Sequence, residues 1–215
     1  MSESARFNMV EAQIRTANVT DPRIHAVMSA VAREKFVPRA AQALAYADVP
    51  VAIAPGRFLL DPRSFAKLLQ LAQVTADDRV LDVGCGTGYV SAVLSLIAGK
   101  VVALESDEDL AAQAKTNLAA HGYDNVTVVT GDLEKGNVGN APFDVIFIDG
   151  SVEQVPQALL DQLGEGGRLI VVLGFGHAAR ATVFMRERGA LSENVFFNAS
   201  IKPLPGFAKA KEFVF

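Results

Sequence analysis

The chain is poor in cysteine. Cys85 is the only one among 215 residues, so no internal disulfide can form and a secreted, disulfide-stapled scaffold is excluded. Positive charge is not concentrated anywhere: the formal net charge is −4, and no run of Lys and Arg offers the basic stripe that a phosphate backbone needs. Nucleic acid is therefore not an expected partner. Long apolar runs are missing too. The longest, Val90 to Leu104, is broken by Gly99 and Lys100 and is too short for a membrane span, and Met1 to Asn8 is polar, without the apolar centre of a signal peptide. A cytoplasmic protein that stays off membranes is the expectation. Histidine is scarce, with His25, His121 and His177 far apart; each reads first as a surface or internally satisfied side chain, and only His177 falls near an expected ligand position. What remains is half apolar and one-fifth charged, the composition of a folded globule, and the length suits one domain, 1–215.

Glycine, by contrast, is concentrated at one place. Val80-Leu81-Asp82-Val83 reads as a strand, runs into Gly84-Cys85-Gly86-Thr87-Gly88, and is followed by Tyr89 to Ala98, an Ala- and Leu-rich helical pattern. Strand, glycine turn and helix make a nucleotide cradle, because glycine lets the backbone approach a ligand with no Cβ between them and the helix start offers free N–H groups. Asp82 narrows the choice of ligand. A carboxylate beside the turn repels a pyrophosphate and attracts a cation. That points to S-adenosylmethionine, which carries a sulfonium and an ammonium. Cys85, between two glycines, reads as a small residue tolerated in a tight loop rather than as a reactive thiol.

Helices are predicted over Val10 to Asn18 and Arg23 to Val31, on either side of Thr20-Asp21-Pro22, where an N-cap precedes a proline in the first turn. Another is predicted over Arg63 to Gln73, with Phe65, Leu68, Leu69 and Ala72 on one face. Beyond the glycine turn, strands are predicted over Lys100 to Leu104, Val126 to Thr130, Phe143 to Ile148, Arg168 to Leu173 and Val195 to Ile201, and helices over Leu110 to His121, Pro156 to Leu163 and Ala181 to Arg188. Such alternation implies an α/β, Rossmann-like fold: a central, mostly parallel sheet with helices on both faces, binding its ligand beyond the carboxyl ends of the strands. Three parts are expected: 1–73 as an N-terminal helical extension with an active-site loop, 74–175 as the cofactor-binding core, and 176–215 as a C-terminal segment. Glu105, followed by Ser106, ends the second strand, where a carboxylate can accept both ribose hydroxyls. Asp132 ends the third and is placed to accept from an adenine amino group.

Four pieces in order carry a resemblance: Arg33-Glu34-Lys35-Phe36-Val37-Pro38, Ala45-Tyr46-Ala47-Asp48-Val49-Pro50, the loop Gly56 to Pro62, and the glycine turn. From about Met9 to about Gly174 they resemble protein-L-isoaspartate O-methyltransferases. The resemblance implies a class I methyltransferase fold ending in antiparallel C-terminal strands, the last supplied by Phe213 to Phe215. It implies S-adenosyl-L-methionine as cofactor, S-adenosyl-L-homocysteine as product, and methyl transfer to the carboxylate of isoaspartyl residues in damaged proteins. It also implies that Asp82, Gly84, Gly86, Gly88, Glu105, Ser106, Asp132 and the backbone N–H of Leu133 bind the cofactor. A carboxylate acceptor is ionised near pH 7, its unperturbed pKa being about 4. In-line displacement at a methyl group then needs alignment and exclusion of water, not a strong base.

Three sites depart from that family, the smallest change being Leu133, where Gly usually follows the adenine-side Asp and whose backbone N–H can still face the ring. The family's acceptor loop usually reads Gly-Gln-Thr-Ile-Ser-Gln-Pro, and here it reads Gly56-Arg57-Phe58-Leu59-Leu60-Asp61-Pro62, so the hydroxyls are replaced by Phe58 and Leu60. Each donor lost to a buried carboxylate costs about 1 to 3 kcal/mol. Arg57 or Arg63 can compensate with a bidentate grip, or both can face water. Asp149 stands at the tip of the fourth strand where the family carries small uncharged residues, and is read as an acceptor or ammonium contact. A metal is not expected, because Leu173-Gly174-Phe175-Gly176 adds no oxygen-bearing side chain for a hard cation. Arg57, Phe58, Leu60 and Asp149 are thus the candidate catalytic residues. The loop leaves two alternatives open beside isoaspartyl methylation: methylation of a more apolar small acceptor, and a non-catalytic module that binds S-adenosylmethionine.

Overall fold

The computed structural model describes residues 2–207. In chain order α1 (Ser2–Met9) passes through a π turn (Val10–Ile14) and a 3-10 turn (Arg15–Ala17), and α2 (Pro22–Ala30) follows. Asp21 caps α2, accepting from the backbone N–H of Arg23, with Pro22 in the first turn, where its missing N–H costs nothing. A short antiparallel hairpin, β1 (Val51–Ala54) and β2 (Arg57–Leu59), then carries the acceptor loop, and α3 (Pro62–Ala72) starts at the Asp61 cap.

The core alternates as expected: β3 (Arg79–Val83), α4 (Tyr89–Ser95), β4 (Lys100–Glu105), α5 (Glu108–Ala120), β5 (Val126–Thr130), β6 (Phe143–Val152), α6 (Gln157–Leu160) and β7 (Leu163–Leu173). Two last strands, β8 (Arg180–Glu187) and β9 (Ala190–Asn198), complete a seven-stranded sheet in the order β5-β4-β3-β6-β7-β8-β9. The first five are parallel, and β8 and β9 are each antiparallel to the strand before. This is the Rossmann-like, mostly parallel sheet with an antiparallel end.

Period-two alternation divides the buried residues between the sheet's faces. Val80, Val101, Val145 and Ile170 join the cluster that the N-terminal helices cover, and Leu81, Val102, Ile146 and Leu169 join the one that α6 and the chain's last described residues cover. Both faces are therefore dry over the central strands, and the strand tips are where a ligand can be reached. Among the described residues no helix is long and apolar enough to cross a membrane.

Several elements differ from the sequence expectation. Ala181 to Arg188 is not a helix but most of β8; its Arg, Met and Glu suit a helix, yet Arg168 to Leu173 pair with it through six residues of register and bury Ala181 to Val183. The late strand falls at Ala190–Asn198, so the chain has already left the sheet by Ile201. Only Gln157–Leu160 is helical in the Pro156 to Leu163 stretch, and Gly164 to Gly167 lies within β7. β6 continues past Ile148 to Val152, so Asp149 lies inside a strand with an irregular register instead of after it. The strand expected from Phe213 to Phe215 lies outside the described residues.

Candidate functional site

The carboxyl ends of β3, β4 and β6 converge on one buried cluster. After Val83 the chain turns through Gly84 and Gly86 at φ +84° and +56°, which a side chain with a Cβ resists, and the N–H groups of Gly84 and Cys85 donate to the Leu104 carbonyl at 2.8 and 3.1 Å. Beneath the turn Asp82 is fully buried. One of its oxygens, Oδ2, accepts from the Ser91 hydroxyl of α4 at 2.5 Å; the other, Oδ1, has no hydrogen-bond partner. Burial drives its pKa up to about 7, the Glu105 carboxylate adds to the rise, and the Ser91 hydroxyl opposes it. Asp149, buried with Oδ1 likewise unpartnered, is pushed well above the usual carboxylate range, by burial first and by Asp82 next.

Glu105 is the hub of the cluster. Its Oε2 accepts from the Gly86 N–H at 2.8 Å, and Oε1 accepts from the N–H groups of Ser106 and Asp107 at 2.8 and 3.0 Å. Arg57 completes it: Nη1 lies 2.5 Å from Oε1, Nη2 lies 2.6 Å from Oε2, and Nη2 also donates to the Gly84 carbonyl at 3.2 Å. Arg57 is thus neither solvated nor open to an acceptor. Arg63 pairs with Asp48 at the surface.

The other expected residues divide. Asp132 is exposed and paired with Lys135; with Ser106, Leu133, Pro205 and Gly206 it lines a cavity of about 190 Å³. Phe58, half-buried, lies under Lys202, whose Nζ is 5.2 Å from the ring. Leu60 is 2% exposed and lines a second cavity, of about 310 Å³, with Asp61, Gly176, Ile201 and Lys202. His177 is exposed, whereas His25 is buried with Nε2 2.8 Å from the Val19 carbonyl.

Some contributors escaped the sequence reading. Arg33, fully buried, donates to the carbonyls of Ala45 and Leu60 and stacks 4.8 Å over the Tyr89 ring, tying the acceptor loop to the N-terminal extension. Its place in the Arg33-to-Pro38 motif was the available signal. Ser91, nine residues after Asp82, sits where the first turns of α4 return over the strand tip. Ile53 and Leu204 press on the glycine turn from two sides, and neither belongs to a periodic pattern that marks it.

The group expected here suits these residues in kind. Two buried carboxyl oxygens without donors, on Asp82 and Asp149, fit an ammonium or sulfonium, and a strand-tip carboxylate, Glu105, fits a ribose.

Residues 4–202 match the family model described as Protein-L-isoaspartate(D-aspartate) O-methyltransferase. A protein-L-isoaspartate O-methyltransferase of Koribacter versatilis is 36% identical over 201 residues, 94% of this chain and 90% of that protein. Another, from Methanoculleus marisnigri, is 39% identical over 169 residues, 79% of this chain and 77% of that protein. A solved protein-L-isoaspartate O-methyltransferase superposes with a TM-score of 0.79 at 26% identity, covering 96% of this chain and 67% of its own. A Plasmodium falciparum structure of the same description, in complex with S-adenosyl-L-homocysteine, superposes at 0.80 over 94% of this chain and 98% of its own; at 22% identity it bears on the fold alone.

Proposed function

The chain belongs to the protein-L-isoaspartate O-methyltransferase family, and from that premise we propose that it methylates the carboxylate of isoaspartyl residues in proteins at the expense of S-adenosylmethionine. When bound, that cofactor supplies an electrophilic methyl carbon, which a carboxylate oxygen attacks in line while the C–S electron pair stays on sulfur, giving a methyl ester and S-adenosyl-L-homocysteine.

The chain's own part is to bind, orient and dry the reactants. Gly84, Gly86 and Gly88 let the backbone approach, Asp82 and Asp149 face the positive end of the cofactor, and Glu105 with Ser106 holds the ribose. Asp132 and the N–H of Leu133 flank the adenine. Phe58 and Leu60, on the hairpin and the loop that follows it, lie toward the acceptor, while Arg57 of the same hairpin is turned to Glu105. The observation that carries this reading is the clustering of Asp82 and Glu105, at the ends of β3 and β4, and Asp149, within β6, around the glycine turn: it suits a cation and opposes a pyrophosphate. The reading treats residues 1–215 as one functional domain. It takes isoaspartyl-bearing proteins as the partners, without nucleic acid or membrane. A cytoplasmic setting belongs to it, and suits the single free, buried Cys85.

Methyl transfer from methyl-labelled cofactor to an isoaspartyl peptide and to its matched aspartyl peptide tests the proposal, with cofactor binding followed by calorimetry. Label should enter only the isoaspartyl peptide. Cofactor binding with label in neither peptide overturns it.

A further inference from the structure

The cofactor's place at the strand tips is filled by the chain itself. A carboxylate offers about four lone-pair sites. Glu105 already receives six donors: the Gly86, Ser106 and Asp107 N–H groups, the Ser106 hydroxyl at 3.4 Å, and both terminal nitrogens of Arg57. No capacity is left for a pair of ribose hydroxyls. The bidentate fork is also the arrangement that holds a carboxylate most firmly, and here both partners are buried, at 8% and 0% side-chain exposure.

The glycine turn is covered as well. A Cβ placed on Gly84 would lie 2.7 Å from Leu204 Cδ1, and one on Gly86 would lie 2.6 Å from Ile53 Cδ1. The close approach that these glycines allow is therefore taken by two side chains of the same molecule. Ile53 belongs to the β1–β2 hairpin that also carries Arg57. Leu204 is held by backbone bonds on either side of Ser151: the Ser151 N–H donates to the Lys202 carbonyl at 3.0 Å, and the Leu204 N–H donates to the Ser151 carbonyl at 2.9 Å. What stays open lies to the two sides, the 190 Å³ cavity at Asp132 and the 310 Å³ cavity at Leu60.

We propose that Arg57 is an internal competitor for the cofactor: in the ligand-free chain it occupies the ribose-binding carboxylate Glu105, and it must leave, with Ile53 and Leu204 drawing back from the turn, before S-adenosylmethionine can be seated. The proposal rests on the methyltransferase reading and adds a gate to it. The apparent affinity is then the intrinsic affinity reduced by the fraction of molecules in which Arg57 has let go. The hairpin is a two-stranded sheet apart from the main one, so its displacement breaks no hydrogen bond of the main sheet.

Calorimetric titration with S-adenosyl-L-homocysteine of the wild-type chain, Arg57→Gln and Leu204→Ala provides the test, each protein first checked for a cooperative melt. Arg57→Gln should bind at least about tenfold more tightly than wild type, because the competent fraction rises; Leu204→Ala should bind more tightly by a smaller factor. In the wild-type chain, the Arg57 guanidinium proton resonances, identified as those absent from Arg57→Gln or by direct assignment, should lose their protection from exchange as ligand is added. Equal or weaker binding by Arg57→Gln overturns the gate while leaving the methyltransferase reading in place. Arg57 resonances still protected when the ligand is bound overturn it too, even if the variant fails to fold. Binding by none of the folded proteins overturns both the gate and the cofactor on which the methyltransferase reading depends.

Discussion

Arg33 donates two hydrogen bonds to backbone carbonyls that lie 12 and 27 residues further along the chain, those of Ala45 and Leu60. Through them a fully buried guanidinium fixes the path of the acceptor loop from the N-terminal extension, while its face packs on Tyr89. Burial lowers its pKa, so the position bears a desolvation cost that its bonds, the Tyr89 ring and the nearby Asp61 and Asp149 carboxylates offset. Arg33→Leu fills the volume but leaves two buried carbonyls without donors. It should lower the unfolding free energy by about 2 to 6 kcal/mol, at about 1 to 3 kcal/mol per lost partner. Denaturant midpoints at unchanged slope check this, and a loss below about 1 kcal/mol would mean that water reaches both carbonyls.

The Arg57–Glu105 pair predicts a strong coupling. Glu105→Gln strands a buried guanidinium, which costs about 3 to 5 kcal/mol where no new partner is found. Arg57→Met leaves Glu105 its three backbone donors and should be milder. The double variant removes both charges, so its loss should be smaller than the sum of the single losses by about 2 kcal/mol or more. Urea unfolding of the four proteins measures the coupling. Additive losses would show that the pair is not formed in the ligand-free protein.

How much of this was legible depends on how local its cause was. β3, β4 and β7 contain runs such as Val80-Leu81 and Ile170-Val171, whose burial on both faces makes them continuously apolar, and Glu105 and Asp82 followed as tip residues. β8 was misread because its strand state comes from pairing with β7, a non-local cause, while its Arg, Met and Glu locally suit a helix. The grip of Arg57 on Glu105 spans 48 residues and depends on where a hairpin folds over the sheet, which no periodicity encodes. Leu204 lies in an irregular segment, and its contact with Gly84 has no sequence signature.

Two buried carboxyl groups with raised pKa values set the sign of the pH dependence. At any pH between the ordinary carboxylate value of 3.8 and about 7, the folded chain keeps a proton on Asp82 that the unfolded chain releases, and Asp149 is shifted in the same direction. Folding then takes up protons, so stability is greatest below the unfolded pKa and falls as pH rises through the folded one. Melting temperature at constant ionic strength should decline from about pH 5 to about pH 8, and Asp82→Asn should flatten the decline. A wild-type melting temperature that climbs across that window would show that Asp82 and Asp149 ionise without cost, through water or a bound cation.

Phe58 and Leu60 replace the hydroxyls expected in the acceptor loop, but they do not weigh equally. Leu60 is 2% exposed and belongs to the main core, so Leu60→Ser removes packed volume and buries a hydroxyl, for about 2 to 5 kcal/mol of stability. Phe58 is half-buried on β2, across from Ala52, with one face toward Lys202. Phe58→Thr therefore restores a donor near the proposed acceptor at little cost to the fold. One net hydrogen bond contributes about 0.5 to 1.5 kcal/mol, so kcat/KM for an isoaspartyl peptide should rise roughly 2- to 10-fold. The affinity for S-adenosyl-L-homocysteine should stay as it was, because Phe58 is not among the residues proposed to hold the cofactor. Unchanged kcat/KM in a folded Phe58→Thr protein would mean that the acceptor lies elsewhere, with the cavity between Leu60 and Lys202 as the next surface to alter.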